Sequence, residues 1–222
     1  MISTIVIGDV HGSTYWKEVV KENPNCHYIF LGDYLDPYEN IARQKLIGNL
    51  NEIIQLKKEH PDDATLLLGN HDLHYFMDEI ALGSRFDFKI SEKAWALFSE
   101  NIQLFQFAFQ DENYVFTHAG ISHQWFIEDF KGDAGRNIAE QLNNPSSEQI
   151  PAWCRCGAYR GGKRGAIGGI FWADIHELQE PLPNFIQVVG HNRVKDVVEY
   201  TNKGGRIIFC DCLWNKHYLK IE

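Results

Sequence analysis

The chain has 222 residues, of which 44% are hydrophobic and 23% charged, and this composition is typical of one folded globular domain spanning residues 1–222. Its formal net charge of −9 disfavours general nucleic-acid binding, because such a surface repels a polyanion unless bound cations reverse the field. No apolar run reaches the roughly 20 residues of a membrane span, and no Lys or Arg precedes the short apolar run at the N-terminus, so we expect a cytoplasmic protein without membrane contact.

Short apolar runs rich in β-branched residues predict the strands of the fold. The first five do not alternate strictly between apolar and polar residues, which is typical of strands buried on both faces. Apolar residues at helical spacing predict helices at 41–60 and 91–105, and NKGG (202–205) predicts a hairpin. Alternating strands and helices followed by a β-rich end indicate a mixed α/β architecture. The predicted strands are 3–9, 26–33, 64–70, 113–120, 185–191, 196–201 and 206–212.

Residues 143–170 differ from the rest of the chain, because they are rich in Gly, Pro and Ser with aromatic and Arg residues interleaved. A stretch longer than about 12–15 residues without regular structure is usually functional or disordered. We therefore expect a long functional loop or a cap over a site. Trp153 and Tyr159 in this segment would either stack on a nucleobase or form part of the core.

Five cysteines in a chain without an export signal indicate a reducing compartment and free thiols. Four of them form two Cys-x-Cys pairs, Cys154/Cys156 and Cys210/Cys212. Their spacing is not that of a standard zinc finger. Buried free thiols are therefore expected, and a structural Zn held by both pairs is the alternative.

Five predicted strands end in side chains that are suited to metal binding. In open α/β sheets, sites form outside the carboxyl ends of the strands, so these side chains are expected at one edge. Their number exceeds what one tetrahedral Zn needs and suits two ions about 3.5–4 Å apart with a bridging carboxylate. Carboxylate, amide and imidazole donors favour Mn, our first choice, or Fe, Co, Ni or Zn over Ca. The candidate ligands are Asp9, His11, Asp33, Asn70, His118 and His191.

Five motifs occur in order along the chain, namely GDVHG (8–12), GDYLDP (32–37), GNHD (69–72), THAG (117–120) and GH (190–191). Together they resemble the motifs of the calcineurin-like metallophosphoesterases. The resemblance is strongest for the branch that contains the Ser/Thr protein phosphatases and the bacterial diadenosine-tetraphosphate hydrolases. It implies an α/β fold built as a β-sandwich of two mixed sheets flanked by helices, with a dimetal site at the strand ends.

The resemblance also implies a role for each candidate residue. His71 would donate a proton to the leaving oxygen, and Asp36 would hydrogen-bond the other ring nitrogen of His71 and keep it protonated. The nucleophile would be a hydroxide that bridges the two metals. Asp72 is expected to support the loop or a ligand, and His74 is expected to be a surface or core residue. The first metal would be held by Asp9, His11 and the bridging Asp33, and the second by Asp33, Asn70, His118 and His191.

One motif departs from the family pattern, because Pro37 stands where the phosphatases carry a phosphate-gripping Arg. We expect Arg160 to be the main substrate clamp, since it precedes FWAD, about where the protein phosphatases carry a second phosphate-binding Arg. Arg193 is the alternative, and Arg155 and Arg164 are the other basic residues considered.

These expectations define a metal-dependent phosphoesterase that acts on a phosphomonoester or, like the protein phosphatases, on a phosphoprotein. A dinucleoside polyphosphate hydrolase is the alternative within the family, so the expected partner is a phosphorylated small molecule, a nucleotide or a phosphoprotein. An inactive binding module of the same fold is the alternative from another class. It is disfavoured because every expected ligand and the expected acid are present.

Overall fold

Two five-stranded sheets form the centre of the computed structural model, which describes residues 2–77, 80 and 83–222. The strands are β1 (Thr4–Ile7), β2 (His27–Phe30), β3 (Ala64–Leu67), β4 (Phe105–Gln106), β5 (Ala108–Asp111), β6 (Tyr114–Thr117), β7 (Ile186–Arg193), β8 (Val198–Asn202), β9 (Gly205–Asp211) and β10 (Leu219–Ile221). The helices are α1 (Trp16–Glu22), α2 (Arg43–Glu59), α3 (Asn70–Leu73), α4 (Ser91–Glu100), α5 (Ile138–Asn143) and α6 (Ile150–Trp153).

Both sheets are mixed, and parallel strands lie at their centres. The first sheet has the order β10-β1-β2-β3-β4, in which β1 to β4 are parallel and β10 runs antiparallel to β1. The second has the order β5-β6-β7-β9-β8, in which β6, β7 and β9 are parallel and the two edge strands are antiparallel. The predicted sandwich of two mixed sheets is confirmed, and the carboxyl ends of its parallel strands are the expected place for a site.

The core explains why the central strands are apolar on both faces. One layer lies between the sheets and includes Val6 and Leu67 from the first sheet and Val188 from the second. The other face of the first sheet packs against α1, α2 and α4, where Ile5 and Phe98 are fully buried. A strand buried on both faces needs apolar residues at successive positions, which removes the polar alternation of a half-exposed strand.

Residues 143–170 are partly helical. They contain α6 and a 3₁₀ turn at Ala158–Arg160. Trp153 is buried and packs edge-on against Phe107 and Phe171, so it belongs to the core and is not available to stack on a nucleobase. Tyr159 is exposed and its ring stacks on His176.

The remaining elements agree in part with the pattern of the sequence. A strand overlaps each of the seven predicted strand runs, whereas the helices α1, α3, α5 and α6 and the short strands β4, β5 and β10 were not predicted. Cys26, Cys156, Cys210 and Cys212 are free thiols, and within the described part of the chain no cysteine belongs to a candidate metal-binding group. No helix among the described residues combines the length and apolar character needed to cross a membrane.

Candidate metal centre

Six side chains converge where the parallel strands end. Each lies just after a strand or, for His191, within the irregular last part of β7, where the pairing register with β9 shifts. Such a bulge re-aims a side chain away from the regular sheet direction. The residues that meet are Asp9 and His11 after β1, Asp33 after β2, Asn70 at the start of α3, His118 after β6, and His191.

The backbone at this edge is strained. His11, Asp33, Asp36 and His191 adopt left-handed conformations, with φ of 42°, 53°, 56° and 58°. A non-glycine residue in this region costs roughly 1–2 kcal/mol, and such residues persist where the surrounding structure holds them for function. Three of the six candidate ligands, and Asp36 of the expected acid pair, therefore occupy strained backbone positions.

The ligands form two groups that share one carboxylate. In the first group, the donor atoms of Asp9, His11 and Asp33 all lie within 4.8 Å of one another. The second group consists of Asp33, His118 and His191 and meets the same distance limit. His11 Nε2 is 3.7 Å from Asp33 Oδ2, and His118 Nε2 is 3.5 Å from Asp33 Oδ1. The two oxygens of Asp33 thus face different groups, as a bridging carboxylate requires.

Asn70 joins the second group through its amide oxygen. Its Oδ1 lies 3.0 Å from His118 Nε2 and 2.9 Å from His191 Nδ1. Three potential donor atoms therefore converge on one point. An amide oxygen and two imidazole nitrogens are ligands that a borderline transition metal accepts together.

Two of the histidines are oriented by backbone carbonyls. The Nδ1–H of His11 donates to the carbonyl of Leu35, and that of His118 donates to the carbonyl of Leu31, both at 2.8 Å. This leaves Nε2 of each ring unprotonated toward the carboxylates, which is the usual arrangement of a metal-bound His. Burial lowers the pKa of both rings to about 3, so they are neutral and able to bind a metal at ordinary pH.

The carboxylates provide the test of whether cations fit. Burial, reinforced by repulsion from Asp211, raises the pKa of both Asp9 and Asp33. Burial also raises the pKa of Asp211 to about 6, although Arg193 opposes this shift. A cluster of buried acidic groups is costly unless positive charge is brought among them. The donor set and its charge therefore fit two divalent cations, and Asp211 is a member of the cluster that the sequence analysis missed.

Asp72 supports the loops that carry the ligands. Its Oδ2 accepts backbone N–H bonds from Asp33 at 2.7 Å and Gly69 at 2.9 Å, and its Oδ1 accepts one from Tyr34 at 2.8 Å. The carboxylate therefore joins the loop after β2 to the loop after β3. This placement matches the supporting role expected from the sequence.

Two motif glycines are required by close approach. A Cβ at Gly69 would lie 2.2 Å from Asp33 Oδ1, and a Cβ at Gly190 would lie 2.2 Å from Asp9 Oδ1. Both distances are far below van der Waals contact, so any side chain would displace a carboxylate of the centre. The glycines of the GNHD and GH motifs thus leave room for the carboxylates of Asp33 and Asp9, because they have no side chain.

The expected acid, His71, belongs to a larger hydrogen-bonded network. Its Nδ1–H donates to Asp36 Oδ2 at 2.8 Å. His74 Nε2 lies 2.8 Å from the same oxygen, and the Tyr75 hydroxyl donates to Oδ1 at 2.5 Å. Burial alone would raise the pKa of Asp36, but its contacts with these three residues outweigh that effect and lower the pKa.

His74 is therefore buried within the acid network, which is a more specific place than the surface or core position expected for it. The Gly83 N–H donates to His74 Nδ1 at 3.1 Å, so the ring proton sits on Nε2 and faces Asp36. The sequence contained a signal for this arrangement. His74 and Tyr75 follow His71 by three and four residues, which are the spacings that share one face of a helical turn.

A cleft of about 460 Å³ opens onto the ligands and is lined by Cys156, Arg160 and Trp172 from the 143–170 region and its continuation. Arg160 Nε lies 2.8 Å from Asp174 Oδ2, and its Nη2 donates to Asn192 Oδ1 at 2.7 Å. These contacts hold the Arg160 guanidinium in a fixed orientation at the cleft wall. A second cavity of about 470 Å³ elsewhere on the molecule contains none of the candidate ligands.

The other arginines considered from the sequence occupy different places. The Arg193 guanidinium stacks on Trp214, 4.2 Å from the ring centre, and Arg155 pairs with Asp129. Arg85, which was not foreseen, lines the cleft, and its Nη2 is 3.2 Å from His71 Nε2. The set of four candidate arginines was therefore incomplete, because no motif marks Arg85 and only the folded turn brings it to the site.

Sequence comparison agrees with this geometry. The family described as calcineurin-like phosphoesterase matches residues 2–195, and the chain belongs to this family of dimetal-dependent phosphoester hydrolases. The chain is 31% identical over 199 residues to a protein phosphatase 2A catalytic subunit of Dictyostelium discoideum, covering 86% of this chain and 55% of that protein. It is 24% identical over 211 residues to the serine/threonine-protein phosphatase 6 catalytic subunit of Drosophila melanogaster, covering 89% and 59%. The chain thus spans little more than half the length of these relatives.

Solved structures show the same fold. A cold-active protein-tyrosine phosphatase of a psychrophilic Shewanella species aligns with a TM-score of 0.61 at 15% identity, covering all of this chain and 76% of that one. A protein serine/threonine phosphatase from Saccharomyces cerevisiae aligns with a TM-score of 0.56 at 18% identity, covering 94% and 67%. At these identities the likeness concerns the fold, and it agrees with the sandwich predicted from the motifs.

Proposed function

We propose that the chain hydrolyses phosphoesters with two divalent cations, Mn being the first choice and Fe, Zn, Co and Ni the alternatives. One observation carries the proposal: Asp33 belongs to both ligand groups and turns one carboxylate oxygen to each. Two cations that share a carboxylate can hold the attacking and leaving oxygens of an in-line displacement at phosphorus. The buried carboxylates supply the negative charge that such ions would neutralise.

The cations would polarise the phosphoryl oxygens and make water a better nucleophile at neutral pH. The Nδ1–H of His71 donates to Asp36, so Nε2 is the ring atom that faces the cleft, where it accepts from Arg85 Nη2 at 3.2 Å. Once Nε2 has taken up a proton, it would give that proton to the leaving oxygen. The hydrogen bonds from His71 and Tyr75, together with the close approach of His74, lower the pKa of Asp36 and fix its orientation. Arg160 would bind the non-bridging oxygens of the phosphate from the cleft wall.

The proposed substrate is a phosphomonoester of a small molecule, a nucleotide or a phosphoprotein. The two relatives described as protein phosphatases support this class, although they are longer than this chain. The free thiols of Cys26, Cys156, Cys210 and Cys212 support the proposed cytoplasmic location.

The test is a substrate panel on protein that has been stripped with a chelator and then reconstituted with Mn²⁺. The panel contains p-nitrophenyl phosphate, its bis ester, diadenosine tetraphosphate and a phosphopeptide. We expect no turnover by stripped protein and recovery of p-nitrophenyl phosphate hydrolysis with Mn²⁺. Full turnover by stripped protein would refute the proposal, and the absence of any turnover after reconstitution would favour an inactive binding module.

A further inference from the structure

Asn192 is a buried amide that directly follows the candidate ligand His191 at the irregular end of β7. Its Oδ1 accepts hydrogen bonds from Arg160 Nη2 at 2.7 Å and from the Ile175 N–H at 2.8 Å. Its Nδ2 donates to the carbonyl of Ala173 at 3.1 Å. Both ends of the amide are therefore bonded, as a buried polar group requires. The side chain joins the end of β7 to the 173–175 segment and to the turn that carries Arg160.

The hydrogen bond from Arg160 to Asn192 fixes the direction of the guanidinium. Arg160 also forms an ion pair with Asp174, but its Nε has no hydrogen-bond partner among the residues that the structure describes. Coulomb attraction depends on distance, whereas a hydrogen bond depends on angle as well. Regular structure adds little constraint, because Arg160 lies at the end of a 3₁₀ turn of only three residues. Asn192 is thus the contact that decides where the N–H groups of Arg160 point.

The charge of Arg160 acts on the second ligand group. Burial lowers the pKa of His118 and of His191, and the positive charge of Arg160 contributes to the shift in both cases. Arg160 also lines the cleft that opens onto the ligands. A guanidinium in this place can bind two oxygens of a phosphate with its planar fork, provided that its N–H groups face them. The orientation of Arg160 therefore matters as much as its charge.

We infer that Asn192 is a positioning residue, which holds the Arg160 guanidinium in the direction needed to bind a substrate phosphate. The inference rests on the proposed function, because Arg160 meets a phosphate only if the chain binds phosphoesters in this cleft. Asn192 is 3% exposed, so it acts through Arg160 and not by touching the substrate. Because Asn192 follows His191 in the chain, the same strand end places both the phosphate clamp and one metal ligand.

A neutral acceptor suits this position better than a carboxylate. Asp174 already supplies one negative charge to Arg160. A second carboxylate would compete with a phosphate for the guanidinium, and it would add to the buried acidic cluster that includes Asp9 and Asp33. The amide of Asn192 instead orients the guanidinium without adding a charge that opposes phosphate binding.

The test is a double-mutant cycle in Mn²⁺ with Asn192→Ala, Arg160→Ala and the variant that carries both changes. The measured values are kcat/KM for p-nitrophenyl phosphate and the inhibition constant of inorganic phosphate. Arg160→Ala should worsen both values by about 10- to 100-fold, because a hydrogen bond to a charged group is lost. Asn192→Ala should worsen both by about 5- to 20-fold, because the guanidinium remains but is no longer held in direction. In the Arg160→Ala background, the change at Asn192 should alter them by less than about 2-fold.

Asn143→Ala is the matched control, because the Asn143 amide makes the same pattern of bonds on α5, which carries none of the candidate ligands. Its Oδ1 accepts from the N–H groups of Phe107 and Ala108, and its Nδ2 donates to the carbonyl of Ala108. The change should lower the urea midpoint of unfolding and leave both measured values within about 2-fold of wild type. If Asn192→Ala does not fold, Asn192→Ser takes its place, because the shorter side chain keeps a hydroxyl there but does not reach Arg160.

Losses that multiply in the double variant would overturn the inference, since Asn192 would then act by a route other than Arg160. Wild-type values in Asn192→Ala, or fewer Mn²⁺ ions bound by that variant than by wild-type protein, would overturn it as well. Unchanged values in Arg160→Ala would reject the inference and leave the phosphoesterase proposal intact. Failure of the proposed function is distinct, because reconstituted wild-type protein would then not hydrolyse p-nitrophenyl phosphate. Calorimetric titration of inorganic phosphate into the same variants would in that case still separate coupled from independent losses.

Discussion

Replacing Asp72 with Asn tests whether a buried carboxylate holds the two ligand loops together. Asp72 accepts three backbone N–H groups within 2.9 Å, and two of them share Oδ2. The introduced amide keeps one oxygen, which in its better orientation still serves those two donors. Its NH₂ group then faces the Tyr34 N–H, which loses its acceptor.

The expected magnitude follows from these contacts. One buried donor without a partner costs about 1–3 kcal/mol, and two charge-assisted bonds that become neutral lose about 1 kcal/mol each. In the opposite direction, the change removes a buried charge whose pKa is raised by burial and by repulsion from Asp33. Because that relief offsets only part of the loss, we expect Asp72→Asn to lower the free energy of unfolding by roughly 2–3 kcal/mol.

The assay is urea unfolding of metal-free protein, together with calorimetric titration of Mn²⁺. Mn²⁺ affinity should fall, because Asp33 and Asn70 sit on the two loops that Asp72 joins. Asp133→Asn is the control, since Asp133 also accepts a backbone N–H, from Gly135, but lies on an exposed loop. It should change the free energy of unfolding by less than about 0.5 kcal/mol. Wild-type stability and Mn²⁺ affinity in Asp72→Asn would refute the reasoning.

Three further substitutions probe the centre. His71→Asn should lower kcat by about 10²–10⁴-fold with normal Mn²⁺ content. The decrease should be smaller for p-nitrophenyl phosphate than for an alkyl phosphate, because the leaving oxygen of an alkyl phosphate needs the proton more. Loss of metal would contradict the acid role. Gly190→Ala should reduce Mn²⁺ content measured by mass spectrometry, because its Cβ would lie 2.2 Å from Asp9 Oδ1, and normal content would show that the loop gives way. Arg160→Ala should lower kcat/KM by an amount that corresponds to about 1.5–3 kcal/mol of transition-state stabilisation, the range for a charged hydrogen bond, with unchanged Mn²⁺ content. Wild-type kinetics would show instead that Arg160 is a surface charge paired with Asp174.

Much of the fold could be predicted because the buried parallel strands produce a recognisable pattern in the sequence. Burial on both faces produces continuous apolar runs, and the ligands follow directly after them, as Asp9 follows β1 and His118 follows β6. The left-handed backbone of Gly32, with φ of 102°, and the close approach at Gly69 explain why these motifs contain glycine beside the ligands. Short edge strands such as β10 have too few residues to show a hydrophobic pattern, and their position depends on pairing with a strand that is distant in the sequence.

The residues that sequence reasoning missed reach the site through packing that no local pattern encodes. Arg85 lies 14 residues after His71 and returns to it only because Tyr38 and the Asp36 carbonyl hold its guanidinium. Asp211 follows an apolar strand like the other acidic residues of the cluster, but no motif distinguishes it from an ordinary strand end. A charged residue whose partners lie on distant loops can be assigned to the site only when the folded structure shows where those loops lie.

The sharpest test of a centre built on one shared carboxylate is the number of Mn²⁺ ions bound per chain, measured by equilibrium dialysis with metal analysis for wild-type protein and Asp33→Asn. Because Asp33 turns one oxygen to each ligand group, wild-type protein should bind two ions per chain. Asp33→Asn should bind fewer than one at the same free Mn²⁺ and lose phosphoesterase activity. Saturation of wild-type protein at a single ion, or two ions retained by Asp33→Asn, would contradict the shared-carboxylate centre.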